Sequence, residues 1–302
     1  MLNAAHSFVN DARSVHALPA APPALDQDVE ARELARLALR SLHAELVLYP
    51  KPGLVSLRDN GSHDDMDAAT FVRSLFSLRR YFFDISIAGM RGAQFPRLRD
   101  LGIAAEQRML RATNGINTHR GAIFALGLLA AAAAALAAQG ARTDDDALRK
   151  ELVRRWGQGL CVAQAPAEVS HGMQVASRYR AGGARAEALA GFPAVFEIGL
   201  PALRSARRAG APSQAARLQA FFHLLAHLED TNLLYRGGRE GLAWMRDTAA
   251  RFLAEGGVLA PGWHERARQI HEACCARRLS PGGSADMLAA TCFVDALQAR
   301  PA

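Results

Sequence analysis

Between Pro50 and Asp67 the chain reads P-K-P-G-L-V-S-L-R-D-N-G-S-H-D-D-M-D, which gathers a cation, hydrogen-bonding groups and several carboxylates in one loop. Loops of this kind often carry reactive groups on a rigid scaffold. Lys51 is held between Pro50 and Pro52 and suits a point-charge contact to phosphate, or plain solvent exposure. If a helix opens at Asp64, then Asp64 and Asp67 stand one turn apart on one face. Two such carboxylates can hold Mg²⁺, which prefers oxygen ligands. They can equally cap the helix and answer its dipole. Asp65 would face elsewhere. The mixture suits a phosphorylated substrate held through a divalent metal ion.

Three further segments share the design of small residues followed by a polar cluster at a helix start: 114–121, 230–238 and 280–286. Helix N-termini offer free N–H groups and a partial positive charge, which favour phosphate. In the first, His119 follows Asn117 and Thr118 between two glycines, a setting for a presented ligand or for a structural histidine. In the second, Asp230 precedes Asn232 and Arg236, a carboxylate for metal and a guanidinium for phosphate oxygens, or a local ion pair at a helix end. In the third, Ser284 is a candidate N-cap and Asp286 a first-turn acid. Glu187, beyond the Gly182–Gly183 turn, reads equally as a surface acid or a ligand.

These loops need elements to position them, and the patterning is helical throughout. Helices are predicted over 28–49 (stopped by Pro50 and Pro52), from 64–67 to Gly89, over 97–112, and from 121 through an alanine-rich stretch. Residues 145–179 read as one helix or as two broken near Pro166. Further helices fit 184–191, 193–209, 213–229, 239–255, 263–278 and 284–298, with a loop at 230–238. Residues 121–140 contain no charge, but alanine dominates their second half, and a buried core helix is the better reading than a membrane span. Residues 1–27 show no apolar run, so they read as a loose arm and not a signal peptide. The expectation is an all-α fold: one multi-helix globular domain over 28–302.

The 302 residues are half hydrophobic, with a formal net charge of +7 and a pI near 9.8. A positive field attracts anions without choosing among them. The arginines are dispersed with no basic block, which favours small phosphate-bearing ligands over nucleic acid. Cys161, Cys274, Cys275 and Cys292 form no C-x-x-C pair and read as buried thiols of a cytoplasmic protein. There is no P-loop, no strand-mounted G-x-G-x-x-G, no H-E-x-x-H and no G-x-S-x-G, so the enzyme classes built on those motifs are excluded.

The string Tyr49-Pro50-Lys51-Pro52-Gly53-Leu54-Val55, with Asn60-Gly61-Ser62-His63-Asp64-Asp65-Met66-Asp67, resembles the triphosphoribosyl-dephospho-CoA synthase family. So do Gly115 to Gly121, Gly191-Phe192-Pro193, Asp230-Thr231-Asn232 with Arg236-Gly237-Gly238, and Ser280 to Asp286, all in the expected order. The Lys-Pro-Gly-Leu-Val-Ser wording is closer to the malonate decarboxylase branch than to the citrate lyase branch. The resemblance implies an all-helical transferase that joins ATP to 3′-dephospho-CoA, releases adenine, and makes the precursor of an acyl-carrier-protein prosthetic group. It implies neither a nucleic-acid nor a membrane partner, and leaves a homo-oligomer open.

On that reading, Lys51 and Arg236 hold the triphosphate and Mg²⁺ is bridged by Asp64, Asp67 and Asp230, with Asp286 a fourth candidate. Glu45 or Glu229 takes the proton of the attacking hydroxyl, and His63 or His119 protonates the departing adenine. Asn60, Asn117, Thr118, Asn232, Gly282, Gly283 and Ser284 line the substrate. Two competing readings are a metal-dependent hydrolase of an ADP-ribose-like nucleotide, which needs no acceptor, and a basic helical nucleic-acid-binding protein, which leaves the acidic loops unexplained.

Overall fold

A helix that is apolar on every side has no face to offer water and must be surrounded. That is the fate of the alanine-rich segment, which forms α5 (Arg120–Ala138) and is buried almost without a break from Ala122 to Leu136. It is long and apolar enough to cross a membrane by length and composition, yet most of it is enclosed by protein. Small side chains let neighbouring backbones come close: a Cβ on Gly89 would lie 2.3 Å from the Ala131 carbonyl oxygen. The Tyr81 hydroxyl bonds to the carbonyl of Ile123 at 2.8 Å.

The computed structural model describes residues 26–162 and 182–300. Around α5 stand α1 (Gln27–Leu46), α3 (Arg79–Met90), α4 (Phe95–Ala112), α6 (Asp145–Val162) and the C-terminal helix α12 (Gly282–Gln298). The short α2 (Ala68–Ser77) lies on α4 and α1, and α7 (Gly183–Leu189) on α6 and α5. A second layer comprises a π-helical turn (Ala194–Gly199), α8 (Leu200–Arg208), α9 (Ser213–His227), α10 (Thr231–Ala254) and α11 (Trp263–Ala276). Among the described residues there is no strand. The all-α expectation holds.

The antiparallel pair α1–α12 fixes which end of the molecule is which. At one end Arg300 makes a bidentate pair with Glu30, at 2.7 and 2.6 Å. At the other, Glu45 of α1 faces the start of α12, and the starts of α5 and α10 join them. That end carries the site.

Several boundaries differ from expectation. No helix opens at Asp64; Asp67 is the N-cap of α2, accepting from the Thr70 N–H and hydroxyl at 2.7 Å each. The run to Gly89 is two helices that meet at Leu78. The predicted loop 230–238 is helical, and the chain kinks within α10 at Gly238, whose φ of 60° and ψ of −159° only glycine adopts readily. The N-cap position of α12 is Pro281, which leaves Ser284 inside the first turn. Cys161 is exposed, contrary to the buried-thiol reading, while Cys274 and Cys292 are buried. The proposed break near Pro166 and nearly all of the N-terminal arm lie outside the described residues.

Candidate active site

Lys51 is the most informative departure from a sequence-only picture. The turn after α1 folds it inward until it is 1% exposed. Its ammonium donates to the Glu45 carbonyl at 2.8 Å and forms a short ion pair with the Glu45 carboxylate. An uncompensated charge in such a place costs several kcal/mol, so each group holds the other in place. Burial pulls the Lys51 pKa down against the pull of Glu45. Lys51 therefore does not reach out to bulk phosphate as an exposed cation.

Two more carboxylates share this centre. Asp230 caps α10 and ties it to α12: its Oδ1 accepts from the N–H groups of Asn232 and Leu233 (2.8 and 3.3 Å), and its Oδ2 from the Ser284 N–H and hydroxyl (2.7 and 2.9 Å). Ser284 is thus a partner of Asp230. Asp286 accepts from the N–H of Ala122 at the start of α5. A Cβ on Gly121 would lie 2.0 Å from Asp286 Oδ2, so this close approach requires glycine. The Asp286 residue is partly exposed, but its carboxyl is enclosed. Loss of water, then the charges of Glu45 and Asp230, lift its pKa well above the usual carboxylate range. Burial also raises Asp230, against its four hydrogen bonds.

His119 is the N-cap residue of α5 and is 3% exposed. Burial, with the nearby Lys51 charge, pushes its pKa down to about 3. It is therefore neutral at physiological pH, and any proton it offers to adenine is that of a neutral imidazole. Asn117 is exposed and its side chain caps the same helix, accepting from the Arg120 N–H at 3.1 Å.

A rim of loops surrounds this centre. His63 bonds Ser280 through Nε2 at 2.8 Å, and its Nδ1 faces Arg236 at 3.1 Å. Burial and the Arg236 charge hold the His63 pKa down, against the Asp65 carboxylate 3.5 Å from the same Nδ1. Arg236 also donates to the carbonyls of Ser62 and Arg278. It clamps three segments together, and remains exposed on its outer side. Asn60 is exposed, with its carbonyl closing a turn to His63. Asn232 is exposed, and its amide lies over Gly282, where a Cβ would approach it to 2.7 Å. A Cβ on Gly283 would meet the Asp230 carboxylate at 3.2 Å.

Of the four carboxylates expected to hold Mg²⁺, Asp64 is exposed and pairs with Arg278 at 3.3 Å. Asp67 is spent as a cap and Asp230 as a double cap. Among the described residues no group of three His, Cys, Asp or Glu side chains is placed to hold a metal ion. The donor set does not fit a protein-built Mg²⁺ cage. Glu229 also leaves the centre: it is exposed on a shallow groove with Arg239 and Arg246, because consecutive residues at the start of a helix diverge.

Sequence reasoning passed over four residues that tertiary structure brings in. Ser74 and Phe71 of α2 contact His119. His271 and Cys275 of α11 brace the Lys51 turn from behind, with His271 bonding the Lys51 carbonyl at 2.9 Å and Asp59 at 3.1 Å. Nothing local marks these side chains; each stands in an ordinary amphipathic helix.

The fold and this centre define an all-helical enzyme site in which acidic groups and one buried lysine meet at the starts of three helices. The family model for ATP:dephospho-CoA triphosphoribosyl transferase matches residues 31–302. The chain is 38% identical over 270 residues to a probable 2-(5″-triphosphoribosyl)-3′-dephosphocoenzyme-A synthase of Acinetobacter calcoaceticus, covering 89% of this chain and 92% of that one. It is 40% identical over 281 residues to the synthase of Klebsiella pneumoniae (90% and 93% covered). To a probable synthase of Pseudomonas paraeruginosa it is 43% identical over 274 residues (88% and 91% covered). No solved structure shows a significant match. The chain belongs to the triphosphoribosyl-dephospho-CoA synthase family and is an enzyme of that transferase class.

Proposed function

We propose that this enzyme transfers the 5-triphosphoribosyl group of ATP to a ribose hydroxyl of 3′-dephospho-CoA. The product is 2′-(5″-triphosphoribosyl)-3′-dephospho-CoA, and adenine leaves. The observation that carries the reading is the buried centre of Glu45, Lys51, Asp230 and Asp286 at the starts of α5, α10 and α12, in a chain of this family.

The bond that breaks is the C1″–N9 glycosidic bond, and the bond that forms joins C1″ to the acceptor oxygen. Positive charge builds on the ribosyl carbon as in glycoside hydrolysis, and enclosed carboxylates stabilise it. A single inverting displacement takes the β linkage of ATP to the α linkage of the product. Glu45, kept beside the Lys51 ammonium, takes the hydroxyl proton. Asp286, whose pKa burial and the charges of Glu45 and Asp230 raise, gives a proton to the purine in this reading, in place of His63 or His119. The triphosphate is not cleaved; it is a handle whose binding positions the reacting ribose. Arg236, with its outer side free, suits that handle. Magnesium enters only as the ion that ATP carries on its phosphates, and no step here runs through it.

The wording Lys51-Pro52-Gly53-Leu54-Val55-Ser56 supports a place in the malonate decarboxylase system, where the product is the precursor of the acyl-carrier-protein group. The dispersed charge and reduced thiols support a cytoplasmic setting. The test is mass spectrometry of adenine and product with ATP, Mg²⁺ and 3′-dephospho-CoA. Adenine should form only when the acceptor is present. Adenine release without acceptor would instead establish the nucleotide-hydrolase reading.

A further inference from the structure

His119 poses a hydrogen-bonding question that the reaction above leaves open. Its Nδ1 lies 2.6 Å from the Ser74 hydroxyl, and that hydroxyl also receives the Thr118 hydroxyl proton at 2.6 Å. A serine oxygen that accepts from Thr118 has its own proton free for Nδ1. When the serine gives that proton to Nδ1, the imidazole is the Nε2–H tautomer. That Nε2 is buried and has no hydrogen-bond partner among the described residues. An unpaired buried donor costs about 1–3 kcal/mol, a cost that a ligand acceptor would remove.

The walls around the ring say what kind of acceptor fits. The ring of Phe71 is half-buried and stands nearly perpendicular to the imidazole, with centroids 5.1 Å apart. The thioether of Met109 accepts the His119 backbone N–H at 3.3 Å. Of the nearby cations, Lys51 is committed to Glu45, and Arg120 pairs with Glu106 through one terminal nitrogen while its buried Nε has no partner among the described residues. A neutral donor among aromatic and thioether groups suits a flat, uncharged heterocycle and not a phosphate. Asp286 of α12 reaches the same helix start, at Gly121 and Ala122, two and three residues after His119.

We propose that the corner between α2, α4 and the start of α5 is the purine subsite of the enzyme, with His119 Nε2–H donating to a ring nitrogen of adenine. Phe71 contacts the base, and Ser74 and Thr118 are positioning residues that lock the tautomer. This rests on the reading that ATP is the ribosyl donor, and it adds where the leaving base sits.

The test compares two probes by calorimetry on the full chain: ATP, and inorganic tripolyphosphate, which has no base. H119A and S74A should weaken ATP about tenfold and leave tripolyphosphate unchanged. H119Q, whose side-chain amide places an N–H near the Nε2 position, should keep ATP within about threefold, which guards against a folding artefact. In the wild type, nitrogen NMR should show His119 protonated on Nε2 alone. Equal weakening of both probes, no weakening of either, or an Nδ1-protonated ring would each overturn the subsite. If ATP binds as expected but no adenine forms with 3′-dephospho-CoA, the reaction reading fails and the subsite stands.

Discussion

The buried centre and the outer loop of this site carry much the same residue types, yet they behave in opposite ways. In the loop, Asp64 and Asp67 are exposed; one pairs with an exposed arginine side chain and the other caps a short helix. In the centre, Glu45, Asp230 and Asp286 are closed off, and each is fixed by a named partner: Lys51, the starts of α10 and α12, and the start of α5. Water screens the exposed Asp64 pair to near irrelevance for stability, and leaves Asp67 only the local contribution of a helix cap. Removal of water makes the second set strongly interacting, and displaces the Asp286 proton equilibrium toward the neutral acid. The lesson is that the position of an acid relative to solvent, and not the acid itself, decides whether it can do chemistry here.

The comparison breaks most visibly at Lys51. K51M should strand the Glu45 carboxylate and destabilise the protein by about 3–5 kcal/mol, read as a lower midpoint in urea unfolding. A double variant K51M/E45L should recover much of that loss; if it recovers none, the pair is not the reason for the cost. Next comes Asp230. D230A removes the acceptor of three backbone N–H groups and the Ser284 hydroxyl, and should cost about 2–4 kcal/mol with α10 and α12 both loosened, visible as faster amide exchange at their first turns.

A smaller effect is expected from pH. Burial pulls His271 down, but its bonds to Cys275 and the Lys51 carbonyl, with the charge of Asp59, outweigh this and raise its pKa to about 9. In the unfolded chain it returns to about 6.5. The folded state therefore binds the proton more tightly. The stabilisation is complete below about pH 6.5 and disappears as the pH rises through 9. Thermal melts from pH 7 to 9.5 should show a loss on the order of 1–3 kcal/mol that H271Q does not show. The smallest change sharpens the contrast from the other side. D64N should stay within about 0.5 kcal/mol of the parent and keep adenine release. A collapse of activity in D64N, with D286N unimpaired, would place the chemistry in the outer loop after all.

Much of the scaffold was legible from local pattern. The uncharged alanine-rich run had to be enclosed, and α5 is. Stops at Pro50 and Gly-rich turns placed most helix ends within a few residues. The failures are also physical. Asp67 at the head of an apolar stripe reads as part of a helix or as its cap, and only the fold of the preceding loop selects the cap. The stretch 231–237 reads as a loop but is helical, while the break expected before 239 is present as the kink at Gly238. Glu229, a candidate base, and Asp230, a candidate metal ligand, are adjacent in the chain, but one faces solvent and the other is buried.

Residue identity and order determined that this protein would be helical, that four polar turns would stand at helix starts, and that its chemistry would concern phosphate-bearing ligands. Those features follow from interactions within a few residues of the chain. Tertiary structure alone decided that Lys51 turns inward to Glu45, that Asp230 joins two helices, that Asp286 meets Gly121, and that Ser74 fixes His119. These pairings span from six to more than a hundred positions, and their consequences depend on excluded water, which is a property of the packed whole.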